Sequence, residues 1–308
     1  MNGPPHDWSR RGVLRAVGAT SVGAVAGCVT DESRSAGCTS RAELSLRRAR
    51  SAHISNEFST PLDGTGHATR TAVADAIAAD DGEATARGYY SPAPPTEFVV
   101  TGPEPHYYRV ETATGEAVSV RAPAYQVTID VDESAVEDGT PIRSFEKLPP
   151  QDRASLRSAI GNPTLLHAPH YTSFAVVFAY ERAEQRRRSV FVPGESDRYL
   201  EWDGVLLRLS FEARRSVDVT STTVSAERVA TSRDGFVEVV GAERGVVLDS
   251  LTDRQREIVA EATEGTYGEC EPYSGAYSDL QGRLAPLAAD RVGLARYDRE
   301  WYFVDYTG

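Results

Sequence analysis

The chain has 308 residues, with 33 Lys and Arg against 45 Asp and Glu for a net charge of −12, 40% hydrophobic residues and three cysteines. That apolar fraction is enough to bury a core, which excludes a collagen-like, coiled-coil or wholly disordered chain. No run reaches the roughly 18 apolar residues of a spanning helix, and the acidic balance opposes sequence-independent nucleic-acid binding, so neither a polytopic membrane protein nor a nucleic-acid partner is expected.

The first thirty residues carry the most specific pattern. Ser9-Arg10-Arg11-Gly12-Val13-Leu14-Arg15 precedes an apolar run from Ala16 to Ala26, and Val25-Ala26-Gly27-Cys28 closes it. Paired cations before an apolar segment too short to span suit a signal h-region, and small Ala26 and Gly27 ahead of Cys28 suit a peptidase pocket that tolerates little bulk. The segment resembles a twin-arginine export signal joined to a lipobox. That resemblance implies that residues 1–27 engage the export machinery through Arg10 and Arg11, that cleavage falls before Cys28, and that a lipid on the Cys28 sulfur anchors the chain at the external face of the cell membrane. Two acyl chains would hold it stably, where one would be marginal. Composition points the same way. Lys147 is the only lysine, so arginine supplies the cations, and Asn2, Asn56 and Asn162 are the only asparagines. An acidic, arginine-dominated chain resembles the exported surface lipoproteins of extremely halophilic archaea. In molar salt the screening length is about 3 Å, so such acidity serves hydration rather than long-range steering.

Residues 28–43, rich in polar side chains after Cys28, read as a tether. With Cys28 lipidated, Cys38 and Cys270 remain. An oxidising exterior permits them to pair, which would tie the tether to the C-terminal region; two unpaired thiols are the other reading.

The rest reads as α+β, mainly antiparallel sheet with one helix per module, in three related helix-plus-hairpin modules over 44–137, 138–240 and 241–308. Helical patterns run over 68–79, 149–160 and 252–263. A shift of 83 residues lays Arg70, Val73 and Ala76 on Arg153, Leu156 and Ala159, and a further 103 carries these to Arg256, Val259 and Ala262. Each helix is followed by a two-strand pattern: 97–101 with 106–111, 198–202 with 205–212, and 292–297 with 301–306. Asp203-Gly204 is a strong two-residue hairpin turn, Asp298-Arg299 a weaker one and Gly102-Pro103-Glu104-Pro105 a looser loop. Further strands are expected at 118–121, 125–131, 173–180, 189–192, 217–229 and 236–240, and the arginine-rich stretch 181–188 as a solvated hairpin tip.

No nucleophile elbow, phosphate loop, dinucleotide fingerprint, zinc-protease helix or calcium loop is present in the sequence. Candidate metal ligands are His167 and His170, which a proline turn could aim together, and Asp130 and Asp132, which strand alternation would place on one face as hard oxygen donors for calcium. Plain solvated loops are the favoured reading of both pairs, with calcium or another metal the alternative, and no cofactor is required. Tyr267, Tyr273 and Tyr277 have the flat apolar faces and hydroxyls of a ligand-stacking surface, or are ordinary core rings. The favoured reading is a lipid-anchored, non-catalytic surface protein that binds a protein or ligand partner or organises the envelope. The rivals are an exported hydrolase or metal-assisted enzyme with a site assembled between modules, and a solute-capturing lipoprotein of a transporter.

Overall fold

Two stretches of more than twenty residues, apolar at both ends and more polar between, build the longest strands of the protein. In the computed structural model, which describes residue 38 and residues 40–307 except 95, 138, 193, 195, 290 and 291, the elements run as follows. First come β1 (Arg41–Arg48), α1 (Ser51–Phe58), β2 (Ser59–Pro61), α2 (His67–Ala78), β3 (Glu83–Gly88), β4 (Phe98–Thr101) and β5 (His106–Ile129). The middle of the chain supplies β6 (Ile142–Ser144), α3 (Pro150–Ile160), β7 (Ser173–Val177), α4 (Ala183–Arg188), β8 (Arg198–Trp202) and β9 (Val205–Ala230). The last part holds α5 (Arg233–Arg244), β10 (Gly245–Val247), α6 (Asp253–Glu264), β11 (Thr266–Cys270), α7 (Gly275–Leu284), β12 (Gly293–Tyr297) and β13 (Glu300–Thr307). The fold is α+β, as expected. The export signal, with Arg10, Arg11 and Cys28, lies outside the described residues. No described helix is long and apolar enough to cross a membrane.

An eight-stranded sheet is built on the antiparallel pairing of β5 with β9, which runs from Tyr107 opposite Ala230 to Ile129 opposite Leu207 with three register irregularities. The outer flank of β5 takes β4 at one end and β7 at the other, while that of β9 takes β3 and β8. Ala72, Val73 and Ala76 of α2 pack on Val99, Val110, Val224 and Ala226 at one end of this ribbon. Leu156 and Ile160 of α3 join Tyr125, Val127, Val176, Leu207 and Leu209 at the other. Between these ends, residues 111–117 are exposed. The separate strand runs expected at 106–111, 118–121 and 125–131 are therefore one strand, because backbone pairing continues where side-chain burial lapses.

The five-stranded sheet has the order β10-β12-β13-β1-β11. Ala42, Leu44 and Leu46 alternate on β1 and are at most 2% exposed, beneath Ile258, Val259 and Ala262 of α6 and Leu280 and Leu284 of α7. The opposite face of this sheet carries Leu294, Trp301 and Phe303, which meet Phe236, Val237 and Val240 of α5. Phe236 stacks on Tyr107 of β5 at 4.2 Å and meets Phe98 of β4 edge-on at 5.2 Å, so α5 joins the two sheets. Arg109 binds Glu97 and Glu243, and Arg244 binds Glu97, closing an ionic clasp over that joint.

All three expected hairpins form, and both residues of the Asp203-Gly204 and Asp298-Arg299 turns have positive φ, as a right-twisted two-residue hairpin demands. Their grouping differs from three separate modules: the first two hairpins share one sheet, and β1, at the start of the chain, lies between β13 and β11. Arg41 already belongs to β1, so the tether expected over 28–43 gives way to strand before residue 43. The stretch 189–192 is not a strand. Residues 181–188 hold α4 rather than a hairpin tip. Phe236–Val240 is helix, because Phe236, Val237, Val240 and Gly241 fall on one helical face and the Ser232 side chain caps its start.

Gly241 sits mid-helix, where glycine costs about 1 kcal/mol relative to alanine. The Trp301 indole occupies the space an added Cβ would need. Gly241→Ala is expected to lower unfolding stability by about 1–3 kcal/mol in urea titrations, the overpacking penalty exceeding the propensity gain.

Candidate functional site

Where α2 and α3 approach each other over the ribbon, a groove of about 440 Å³ opens, within the range of small-molecule sites. Its two helical walls present small side chains, Ala68 and Ala72 from α2 and Ala154 from α3. Below them lie Ala84 and Ala86 of β3 with Val177, Ala179 and Val219. Successive residues 84–88 all line the cavity, so the outer edge of β3, which pairs only with β9, forms part of the wall. Space exists here because the facing positions carry alanine; larger side chains would have closed the helices' approach.

The polar groups around this floor are specific. Tyr90 reaches across from the end of β3, and its hydroxyl accepts the Val177 N–H at 3.1 Å; burial pushes this phenol up to about 12. Tyr89 packs edge-on against Tyr90 at 5.0 Å and is itself 40% exposed. At the α3 side, the Tyr180 hydroxyl donates to Asp152 Oδ1 at 2.6 Å and lies 3.2 Å from the Ser155 hydroxyl. Asp152, fully buried in the first turn of α3, also accepts the Val190 N–H at 2.9 Å on Oδ2. Burial raises the Asp152 carboxyl above its ordinary range against the opposing pull of these bonds, and burial followed by the Asp152 charge raises the Tyr180 phenol. His67 opens α2 at the rim and is held below its usual range by burial first, then by Arg157 and Arg70. Arg87 pairs with Glu181 at 2.6 Å, whereas Arg182 is exposed at the rim and makes no ion pair among the described residues.

Both oxygens of Asp152 are engaged in holding Tyr180 and the 189–190 backbone, so the carboxylate positions the wall of the groove. Tyr90 and Tyr180 stay neutral well above neutral pH and offer hydroxyls.

None of the described candidates singled out in the sequence lines this groove. Cys38 and Cys270 are joined by a disulfide, with Cα atoms 5.5 Å apart, beside β11. His167 Nε2 lies 3.0 Å from Asp203 Oδ2 in an exposed pair at the β8–β9 turn, and His170 is exposed three residues on. Asp130 follows the end of β5 with φ 58°, so strand alternation does not extend to Asp132. The Asp132 carboxylate instead accepts the Ser134 N–H at 2.8 Å and caps a turn, and bonding to Ser134 holds it below its ordinary range. Among the described residues no group of three or more His, Cys, Asp and Glu side chains is gathered as a metal ion would need. Tyr267 and Tyr277 do not form a stacking surface: they are 6% and 1% exposed, Tyr267 on β11 and Tyr277 on the buried face of α7 in one core, with Tyr273 half-buried edge-on to Tyr277. The Tyr277 hydroxyl has no hydrogen-bond partner among the described residues, and burial pushes this phenol up to about 12.

The groove residues escaped sequence reasoning because α2 and α3 are more than seventy positions apart and nothing local marks their approach. One usable signal exists: Asp152 follows Pro149-Pro150, the acidic first turn of a helix, with Tyr180 adjoining an apolar strand. Comparison with protein-family models, with curated proteins and with solved structures finds no match.

Tyr90 and Tyr277 titrate near 12 in the folded protein, Tyr180 is raised as well, and an unfolded tyrosine titrates near 10. A folded value above the unfolded one contributes stability below pH 10 that is lost as the pH climbs through the folded value. The melting temperature should therefore hold up to about pH 10 and fall steeply toward pH 12, with tyrosinate absorbance rising together with unfolding.

Proposed function

We propose that the chain is an extracytoplasmic lipoprotein, held at the outer face of the membrane through Cys28, whose folded body is a non-catalytic binding module with its site in the groove between α2 and α3. The groove carries this reading: a floor of small residues bordered by the Tyr90 and Tyr180 hydroxyls and by Asp75, Arg87, Glu181 and Arg182 is a chemistry suited to recognition, and the buried Asp152 carboxylate behind its α3 wall is committed to structure. The Cys38–Cys270 disulfide supports an oxidising compartment. It also supports a short leash. The ten residues from Cys28 to Cys38 reach at most about 36 Å, so a chain clamped at Cys38 to the edge strand β11 stays close to the bilayer.

Cys28→Ser is expected to move the protein from the membrane fraction to the soluble exterior, measured by fractionation and by loss of the lipid mass; continued tight membrane association would contradict the anchor. Replacing Arg10 and Arg11 together by lysine is expected to leave unprocessed precursor inside the cell, and undiminished export would show that another route is used.

A further inference from the structure

Resting on the groove being the binding site, we infer that its ligand is a short free peptide of about four small residues, laid extended along the outer edge of β3 with both charged ends intact. The backbone of that edge is the first reason. Gly82 stands opposite Ala226 and its carbonyl accepts the Ala226 N–H at 2.9 Å, so the even-numbered residues of β3 bond to β9 and the odd-numbered ones turn their backbone groups outward. The Glu83 N–H is spent on the Asp81 carboxylate at 3.0 Å. The N–H and C=O of Thr85 and Arg87 have no partner among the described residues, and both residues line the groove. β3 carries neither a proline nor a bulge, two common guards of a free edge. Around it the lining offers Ala68, Ala72, Ala154 and Ala179, whose small side chains leave room for a second backbone to approach.

Charge fixes the two ends. Arg87 and Glu181 neutralise each other at 2.6 Å, which leaves one carboxylate, Asp75, and one guanidinium, Arg182, in the lining without an ion-pair partner among the described residues. They belong to opposite ends of β3. Asp75 is in the last turn of α2, and residues 79–82 alone connect that helix to the start of the strand. Arg182 follows Glu181, which Arg87 holds near the strand's other end. From Ala84 to Gly88 a strand covers about 13 Å at about 3.3 Å per residue, the reach of an extended tetrapeptide. A peptide running parallel to β3 therefore sets its ammonium toward Asp75 and its carboxylate toward Arg182, whose guanidinium fork suits a carboxylate. Just past Gly88, the Tyr90 hydroxyl accepts the Val177 N–H and keeps its own hydrogen to donate to a peptide carbonyl. A simple anion or cation would satisfy one end of this groove and leave the backbone of β3 unpaired.

The test is a calorimetric titration of the folded chain, disulfide intact, with three peptides: free tetra-alanine, its N-acetyl amide, and tetra-alanine methylated on its central amide nitrogens. Expected is one-to-one binding of free tetra-alanine, tighter than either modified peptide by roughly tenfold, the worth of one charge-assisted hydrogen bond. Arg182→Gln and Asp75→Asn should each weaken free tetra-alanine by a similar factor and leave the end-blocked peptide unchanged. Thr85→Pro removes an outward N–H without touching the ladder to β9 and should weaken the free and end-blocked peptides alike; the methylated peptide probes the same pairing if that variant does not fold. Ala154→Phe, at an exposed position of the α3 wall, should abolish all binding, and Thr71→Phe, exposed on the α2 wall, serves the same purpose if Ala154→Phe does not fold. Equal affinity of free tetra-alanine and either modified peptide would overturn the peptide inference. So would failure of tetra-alanine to bind while the uncharged dye N-phenylnaphthylamine binds saturably and is lost in the wall-filling variants; the groove would then stand as the site for another ligand. No saturable binding of peptide or dye, or binding that survives both wall-filling variants, would overturn the groove reading itself.

Discussion

The pairing of β5 with β9 is the constraint on which the rest of the structure depends. Two strands of 24 and 26 residues share a ladder with three register irregularities, and every other strand of the larger sheet except β2 and β6 adds directly to one of them. A two-stranded ribbon is marginal alone; here it is stabilised at both ends by helices that bury apolar patches on it. Its exposed middle is tolerated because inter-strand hydrogen bonds need no side-chain burial once both ends are fixed. Bulges in such a ladder strengthen its twist, and the twist decides how the helices above it converge.

The groove is a by-product of that geometry. Helices α2 and α3 sit on separate cores, each packed against its own end of the ribbon, and meet over a stretch where the sheet's apolar side chains are alanine and valine. A polar network then fixes the α3 wall. Asp152 fastens the first turn of α3 to Tyr180 and to the backbone at Val190, which fastens the segment leading into α4 and so places Arg182 at the rim. A buried carboxylate is costly unless each oxygen has a donor, and here each does. The arrangement exchanges solvation for a fixed wall.

The second sheet shows how the ends of a chain can be made to stabilise each other. β1 pairs with β13 and β11, so residues near the start and the end of the described chain lie side by side, and the Cys38–Cys270 disulfide locks the same corner. In the chain-entropy picture a crosslink across so long a loop contributes roughly 5 kcal/mol. α5 and its aromatic contacts then transmit this rigidity to the larger sheet, with Trp301 seated against Gly241 and Phe236 stacked on Tyr107.

What the sequence determined by itself was local: the three hairpins with their turns, the three amphipathic helices α2, α3 and α6, and the α+β class. Each is set by side-chain periodicity or by turn residues a few positions apart, and such patterns are complete within one segment. Periodicity was also present where it was overlooked, in the Ala42-Leu44-Leu46 alternation of β1 and the helical spacing behind the β-branched run of α5. Tertiary structure alone decided that three strand-like runs form β5, that β1 joins the far end of the described chain, that Tyr267 and Tyr277 are core, and that Tyr180, Tyr90 and Arg182 line one cavity. Those outcomes depend on contacts between residues tens to hundreds of positions apart, whose free energy comes from packing and from pairing of buried polar groups, and no local pattern encodes which distant partner a residue will meet.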